Sequence, residues 1–487
     1  MATTAHGSTL RRQFLHGVTC GLIYFGGTLY WVSDTMRLHG GLPLVVSAPV
    51  AALLVAYLSI YVGAFALVLA GAVRRYRTAG IWLAPLIWVA TEWARSHVGA
   101  GFPWVQLGAS QATVLPIVQT ASVVGVYGLS ALVALVSTAA AAVVARPTAA
   151  TRRAAAGVAV LLVAVTIAGA WRAARSSLLD SGRAARIGLV QGNVAQDQKW
   201  DPAFRGDILT RYLALSRQVI ADGAEIVIWP EASTPFSFDV VAPLAAPIRE
   251  LAASTGTPFI LGSDQFVAGT PGEPPDYYNA AVLVGPDGTS RQWYRKMRLV
   301  PFGEYVPLRS LLFFVGPLVE AVGEFSAGTD AVVFDAEGRR VSVAICYESV
   351  YPGIARQFVQ NGSELLATIT NDAWFGRSSA AYQHFQQGAI RAVEQGRFVV
   401  RSANTGISGA VDPYGRVLAA TDLFEPAAVT VDVRLLTDRT IYSYTGDLVV
   451  WCALAVTLLL AAQMIVERRP AQRGPRRPIP TGNETRS

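Results

Sequence analysis

Groups able to do acyl chemistry stand just beyond apolar, strand-like runs. Glu231 closes AEIVIWPE (224–231), Cys346 and Glu348 close VSVAICYE (341–348), and Asn371 and Asp372 close LLATITND (365–372). Ligands of open α/β sheets bind outside the carboxyl ends of the strands, so a carboxylate, a thiol and an amide there can share one pocket. A thiol of pKa about 8.5 attacks an acyl carbon only as thiolate, and needs a base or a nearby cation. Glu231 can take that proton and return it to a leaving group. The cation on offer is Lys296, in the Pro- and Gly-rich loop YRKMRLVPFGEYVP (294–307) that also carries Glu304. Lysine is scarce: of 40 basic residues only Lys199 and Lys296 are not arginine. A retained lysine suits a task needing a compact ammonium rather than a planar guanidinium; Lys199, by contrast, is expected on a solvated face. Lys296 and a backbone N–H near Tyr347 would hold the oxyanion of a tetrahedral intermediate. Of five histidines only His384 falls in the same block, on a predicted helix, where packing or hydrogen bonding is expected rather than a Cys–His dyad. No cluster of metal-ligating residues and no glycine-rich phosphate loop is seen, so no cofactor is expected.

Positioning these groups requires a sheet. Apolar β-rich runs occur at 186–194, 225–229, 258–262, 279–284, 341–345, 365–370 and 398–402. Helical patterns lie between several of them, at 201–221 (with Asp201-Pro202 as cap and first residue), 243–253, 351–360 and 382–395. Gly-Pro-Asp-Gly (285–288) and Asp-Pro-Tyr-Gly (412–415) read as hairpin turns. Alternating strands and helices with two hairpins predict an α/β sandwich with helices outside the sheets.

The rest of the chain is a different material. With 52% hydrophobic and only 15% charged residues, the sequence is not that of an ordinary soluble domain, for which about 25% charged is usual. Crossing a bilayer takes about 20 apolar residues. Candidate runs are 14–33, 42–73, 79–98, 114–144, 154–171 and 448–466; the second and fourth are long enough to be one tilted helix or a broken pair. Arginines mark every second connection: Arg11 and Arg12, then Arg74, Arg75 and Arg77, then Arg146, Arg152 and Arg153, then the tail from Arg468. That alternation predicts both termini in the cytoplasm and the soluble block outside, with the first run an uncleaved helix. The net charge of +7 then reflects topology, and a nucleic-acid partner is excluded. Glu92 and Arg95, three apart on the third run, are expected to pair with each other. Of three cysteines Cys20 and Cys452 fall in membrane runs, leaving Cys346 as a lone thiol in an oxidising compartment. The expected division is 1–180, an N-terminal transmembrane domain of about five helices; 181–445, the exported domain; 446–467, a C-terminal transmembrane helix; and 468–487, a basic, disordered cytoplasmic tail.

WPE at 229–231, the lysine of RKMRLVPFGEYVP and ICYE at 345–348 together resemble the Glu-Lys-Cys triad of the nitrilase (carbon-nitrogen hydrolase) superfamily. Within it, the membrane flanks, QGNV (191–194) with Lys199-Trp200, LVPFGEYVP (299–307), NDAWFG (371–376) and GFPW (101–104) resemble the apolipoprotein N-acyltransferases over nearly the whole chain. Family members typically carry further N-terminal helices that are not seen here. The resemblance implies an exported nitrilase-like α-β-β-α sandwich on a helical membrane domain, in the bacterial plasma (inner) membrane, acting as a monomer. It implies Glu231, Lys296 and Cys346 as triad, Glu304 and Glu348 as supports that orient or tune it, and Trp200, Tyr347 and Trp374 lining the pocket or a lid, with Asn371 nearby. The implied reaction moves an acyl group from a membrane phospholipid, through a Cys346 thioester, to the N-terminal amine of diacylglyceryl-modified apolipoproteins. The competing readings are a membrane-anchored nitrilase-type amidase and a non-catalytic transport or scaffold protein.

Overall fold

The computed structural model describes residues 9–99, 101–269, 275–301, 303–305 and 325–468; the expected tail beyond 468 lies outside them. Two six-stranded sheets form the soluble part, in the orders β12-β1-β2-β3-β4-β5 and β11-β10-β9-β8-β7-β6. The first comprises β1 (Arg183–Gln191), β2 (Ile226–Ile228), β3 (Phe259–Val267), β4 (Asp276–Val284), β5 (Ser290–Arg295) and β12 (Ala427–Leu435). The second comprises β6 (Phe334–Ala336), β7 (Arg339–Ile345), β8 (Leu365–Thr370), β9 (Val399–Ala403), β10 (Gly409–Val411) and β11 (Val417–Ala420). β1, β2 and β3 run parallel, as do β7, β8 and β9, and the outer strands add antiparallel. Strand periodicity sorts the core. Ile226 and Ile228 face the second sheet, packing with Val343 and Ile345, while Val227 and Trp229 face the helices outside the first. The result is the expected α-β-β-α sandwich.

The predicted elements are present with shifted ends, and both predicted turns join antiparallel pairs, β4 to β5 and β10 to β11. The sequence reading omitted β5, β6, β10, β11 and β12. β5 and β6 mix polar and apolar residues, β11 is a four-residue, largely exposed edge strand, and β12 is set by its pairing with β1 rather than by its own pattern.

Four described helical stretches are long and apolar enough to cross a membrane: Leu44–His97, Ala121–Ala145, Ala149–Leu179 and Leu448–Val466. The run at 42–73 is one helix, Leu44–Tyr76, about 50 Å long at 1.5 Å per residue and so longer than a bilayer core of about 30 Å. A 3-10 turn, Arg77–Leu83, separates it from Ala84–His97. The first expected run divides at Leu29 and Tyr30 into Leu10–Thr28 and Trp31–Leu38.

The run at 114–144 is the broken pair. A short turn, Leu115–Val118, precedes Ala121–Ala145, and that helix is itself interrupted at Gly125 (φ 66°, ψ −177°). The freed N–H of Val126 is capped by Glu394 Oε1 at 2.8 Å, from the Ser379–Gln395 helix of the sandwich. The two parts are therefore joined at a helix break. The Asp412–Gly415 hairpin makes a second joint: Arg416 donates to Ala173 O and Ser176 Oγ, and Gln119 Nε2 donates to Tyr414 O at 2.7 Å.

Gly125 occupies a backbone region open essentially to glycine alone, and an added Cβ would meet Tyr442 Cε2 at 2.4 Å. Gly125→Ala should destabilise the protein by at least about 1–3 kcal/mol, read as a lower thermal midpoint in detergent; an unchanged midpoint would contradict the joint.

Candidate active site

The end of β7 leads directly into Cys346, whose backbone is left-handed (φ 52°) and opens a 3-10 turn, Cys346–Val350. That sharp turn lifts the thiol off the sheet edge and costs about 1–3 kcal/mol for a non-glycine residue, so the surroundings must hold it. Glu348 holds it. Its carboxylate accepts Ile345 N–H (2.7 Å), Met297 N–H (2.6 Å), Arg298 N–H (3.1 Å) and Tyr294 O–H (2.8 Å). One buried side chain thus ties the cysteine turn to the backbone just after Lys296. Burial pushes Glu348 up to about 7 despite these donors. It supports Lys296 through the loop backbone, not through a contact with the ammonium.

Lys296 follows β5, and its ammonium is almost wholly buried, 3.2 Å from Glu231 Oε1 and 2.9 Å from Glu304 Oε1. Asn279, on the neighbouring β4, donates to the same two oxygens at 2.7 Å each. Asn371 N–H donates to Glu231 Oε2 at 2.8 Å, bringing the end of β8 to the carboxylate. Glu231 itself follows β2 in a turn that crosses Gly262 closely, where an added Cβ would sit 2.2 Å from Pro230 O. Burial works to raise the Glu231 carboxyl, but Lys296, Asn279 and Lys199 outweigh it and leave it below its ordinary value. Burial works to lower Lys296, but the two carboxylates hold it well above its own. Burial and Glu231 push the Cys346 thiol up, with Lys296 opposing. With the thiol raised, Glu231 lowered and Lys296 raised, the site favours a neutral thiol beside an ionised Glu–Lys pair. Glu231 is placed to accept a proton and Lys296 to meet a developing negative charge.

Lys199 is not on a solvated face. It is buried, and its Nζ donates to the Glu231 carbonyl oxygen at 3.1 Å; burial brings it down to about 8. Asn404, also unforeseen, holds the QGNV turn by donating to Val194 O (2.7 Å) and Asn371 Oδ1 (3.0 Å).

The membrane part supplies one wall. Trp104, from GFPW, stacks on Tyr347 with ring centroids 6.2 Å apart, and Tyr347 O–H donates to Gly101 O. Glu92 and Arg95 hold this loop instead of pairing with each other. Glu92 Oε1 accepts Leu107 N–H (2.7 Å), and Arg95 donates to Phe102 O (2.8 Å) and Trp104 O (2.7 Å). At i, i+3 the two could have met, but buried loop carbonyls and N–H groups need partners more. Trp374 is half-buried and meets His39 edge-on, while Trp200 is exposed at the surface.

Comparison with known proteins bears on this site. Residues 186–440 match the carbon-nitrogen hydrolase family and residues 1–139 match the apolipoprotein N-acyltransferase N-terminal domain. An apolipoprotein N-acyltransferase of Geobacter metallireducens is 38% identical over 459 residues, covering 93% of this chain and 87% of that protein. The chain belongs to the apolipoprotein N-acyltransferase family. A relative from Shewanella oneidensis with the same name is 32% identical, covering 90% of this chain and 84% of its own length. Among solved structures, an amidase from a Nesterenkonia species is similar at 20% identity and a TM-score of 0.40, covering 53% of this chain and 93% of that one. Membership makes the chain an acyltransferase-family membrane protein with the carbon-nitrogen hydrolase fold. Lys199 could have been flagged from sequence by its rarity alone; Asn279 and Asn404 carried no such signal.

A cation beside Glu231 keeps the base ionised at lower pH. Lys199→Met should therefore raise the Glu231 pKa, so that the acid limb of kcat/KM, lost as pH falls through that value, moves to higher pH. A limb that stays in place would show that Lys199 does not act on Glu231.

Proposed function

We propose that this protein transfers a fatty acyl group from a membrane phospholipid to the α-amine of the lipidated N-terminal cysteine of apolipoproteins, with Glu231, Lys296 and Cys346 as the catalytic triad. The observation that carries the reading is the buried Glu231–Lys296 pair at the Cys346 turn, walled by Trp104 of the membrane part. Glu231 takes the Cys346 proton as sulfur attacks the ester carbonyl. The tetrahedral oxyanion faces Lys296 and the Tyr347 N–H. When the ester C–O bond breaks, Glu231 protonates the departing lysophospholipid oxygen, leaving a thioester. The acceptor amine then attacks the thioester, gives a proton to Glu231, and the C–S bond breaks as the thiol is restored. Both substrates carry acyl chains worth about 0.8 kcal/mol per buried CH₂ in the bilayer, so a site resting on membrane helices reaches them without extracting them. Glu304 and Glu348 support the triad, and Asn371 borders it through its N–H to Glu231.

The proposed setting is the bacterial inner membrane, the sandwich outside and both termini in the cytoplasm, with the chain a monomer. The arginine alternation supports it. A reporter fused after Asp180 should be exported and one fused after Arg477 should remain cytoplasmic; an exported C-terminal reporter would overturn the topology.

Phospholipid alone should load an acyl mass on the Cys346 peptide and release lysophospholipid. A diacylglyceryl lipopeptide with a free α-amine should discharge it with parallel-line, ping-pong kinetics, and an N-acetylated acceptor should leave it standing. Rapid hydrolysis without acceptor would instead favour an amidase.

A further inference from the structure

His384 is fully buried and takes part in none of these steps, yet it holds the backbone of the nucleophile. Its Nε2 lies 3.0 Å from the Cys346 carbonyl oxygen, which also accepts Ser349 O–H at 3.0 Å; Nε2 and Ser349 Oγ are 3.0 Å apart. A carbonyl oxygen only accepts, so Nε2 carries a hydrogen. On the far side of the ring, Nδ1 lies 3.0 Å from Asp372 Oδ1 and 2.9 Å from Arg401 Nη2. Arg401 also donates to Asp372 Oδ2 at 2.7 Å, and Thr370 O–H to Asp372 Oδ1 at 2.8 Å. The imidazole is gripped at both ends. Its neighbour Gln383 accepts the indole N–H groups of Trp31 (3.2 Å) and Trp104 (2.8 Å) and donates to Thr28 O (3.1 Å). The same helical turn is thus anchored to the membrane part.

The atom that His384 grips has a partner across the peptide bond. A trans peptide is planar, so fixing the Cys346 carbonyl fixes the direction of the Tyr347 N–H on the opposite side. We propose that His384 is a positioning residue that aims the Tyr347 N–H at the developing oxyanion, with Arg401, itself held by Asp372, donating to Nδ1 and so holding the ring in place. The proposal rests on Cys346 as nucleophile and on that N–H as oxyanion donor. Removing an oxyanion donor outright costs about 10²–10³ in kcat, so misaiming one should cost part of that.

The test compares two amides that reach different ring positions. In His384→Gln the side-chain N–H falls near Nε2, whereas in His384→Asn it falls near Nδ1. With Cys20 and Cys452 replaced by serine, the rate of acyl loading on Cys346 from phospholipid vesicles, its KM and the thermal midpoint are measured. His384→Gln should stay within about fivefold of the parent, and His384→Asn should lose about 10–100-fold in kcat with KM unchanged and a midpoint like that of the Gln variant. Equal rates for the two, or rates that simply follow the thermal midpoint, would reduce His384 to packing and overturn the proposal. An inactive His384→Gln that folds normally would overturn it too, because an amide can position but cannot act as a base. Failure of the parent itself to load Cys346 would instead defeat the proposed mechanism, whatever His384 does.

Discussion

Everything in the site depends on burying an ammonium. Lys296 is removed from water at a cost that only opposite charges at hydrogen-bond distance can offset, and Glu231 and Glu304 both supply them. Two carboxylates against one cation would leave a buried negative charge; Lys199, buried behind Glu231, adds a second positive charge that opposes it. Within this cluster, moving a proton from Cys346 to Glu231 creates a thiolate without changing the net buried charge. Removing Lys296 leaves both carboxylates without their ion-pair partner, a loss of about 3–5 kcal/mol for a buried pair.

The same constraint accounts for what could be read from sequence. Glu231, Lys296, Cys346 and Glu304 were legible because each pairs an unusual residue type with a strand end or a loop, and the structure brings Glu231, Lys296 and Glu304 into hydrogen-bond contact. The sandwich was legible through its buried parallel strands, which read as unbroken apolar runs. Lys199 was misassigned because burial of a lysine follows from its partner, and that partner is 32 residues away in the chain. Glu92 and Arg95 were misassigned for a related reason. Helical spacing shows which neighbours are within reach, not the competing demand of a loop that folds back over the helix. The break in the Ala121–Ala145 helix was half visible as excess length, but its place was set by Gly125 and by the cap that Glu394 gives Val126, 268 residues before it.

Docking between the two parts is polar where it matters. Glu394 caps a membrane helix, Gln383 takes two indole N–H groups, and Arg95 with Glu92 shapes the loop whose Trp104 lies over Tyr347. Apolar contact alone would let the sandwich slide on the helices; directional bonds fix its register, and with it the position of Cys346 relative to those helices.

The charges around Cys346 favour a protonated thiol beside an ionised carboxylate–ammonium pair in the resting enzyme. Infrared difference spectroscopy of the Cys20→Ser, Cys452→Ser protein tests it directly, because the only remaining S–H oscillator is Cys346. An S–H stretching band at neutral pH, abolished by Cys346→Ala, is the expected result. A protein with no S–H band at that pH, and so already carrying a thiolate, would contradict the account of how Glu231 and Lys296 share the work.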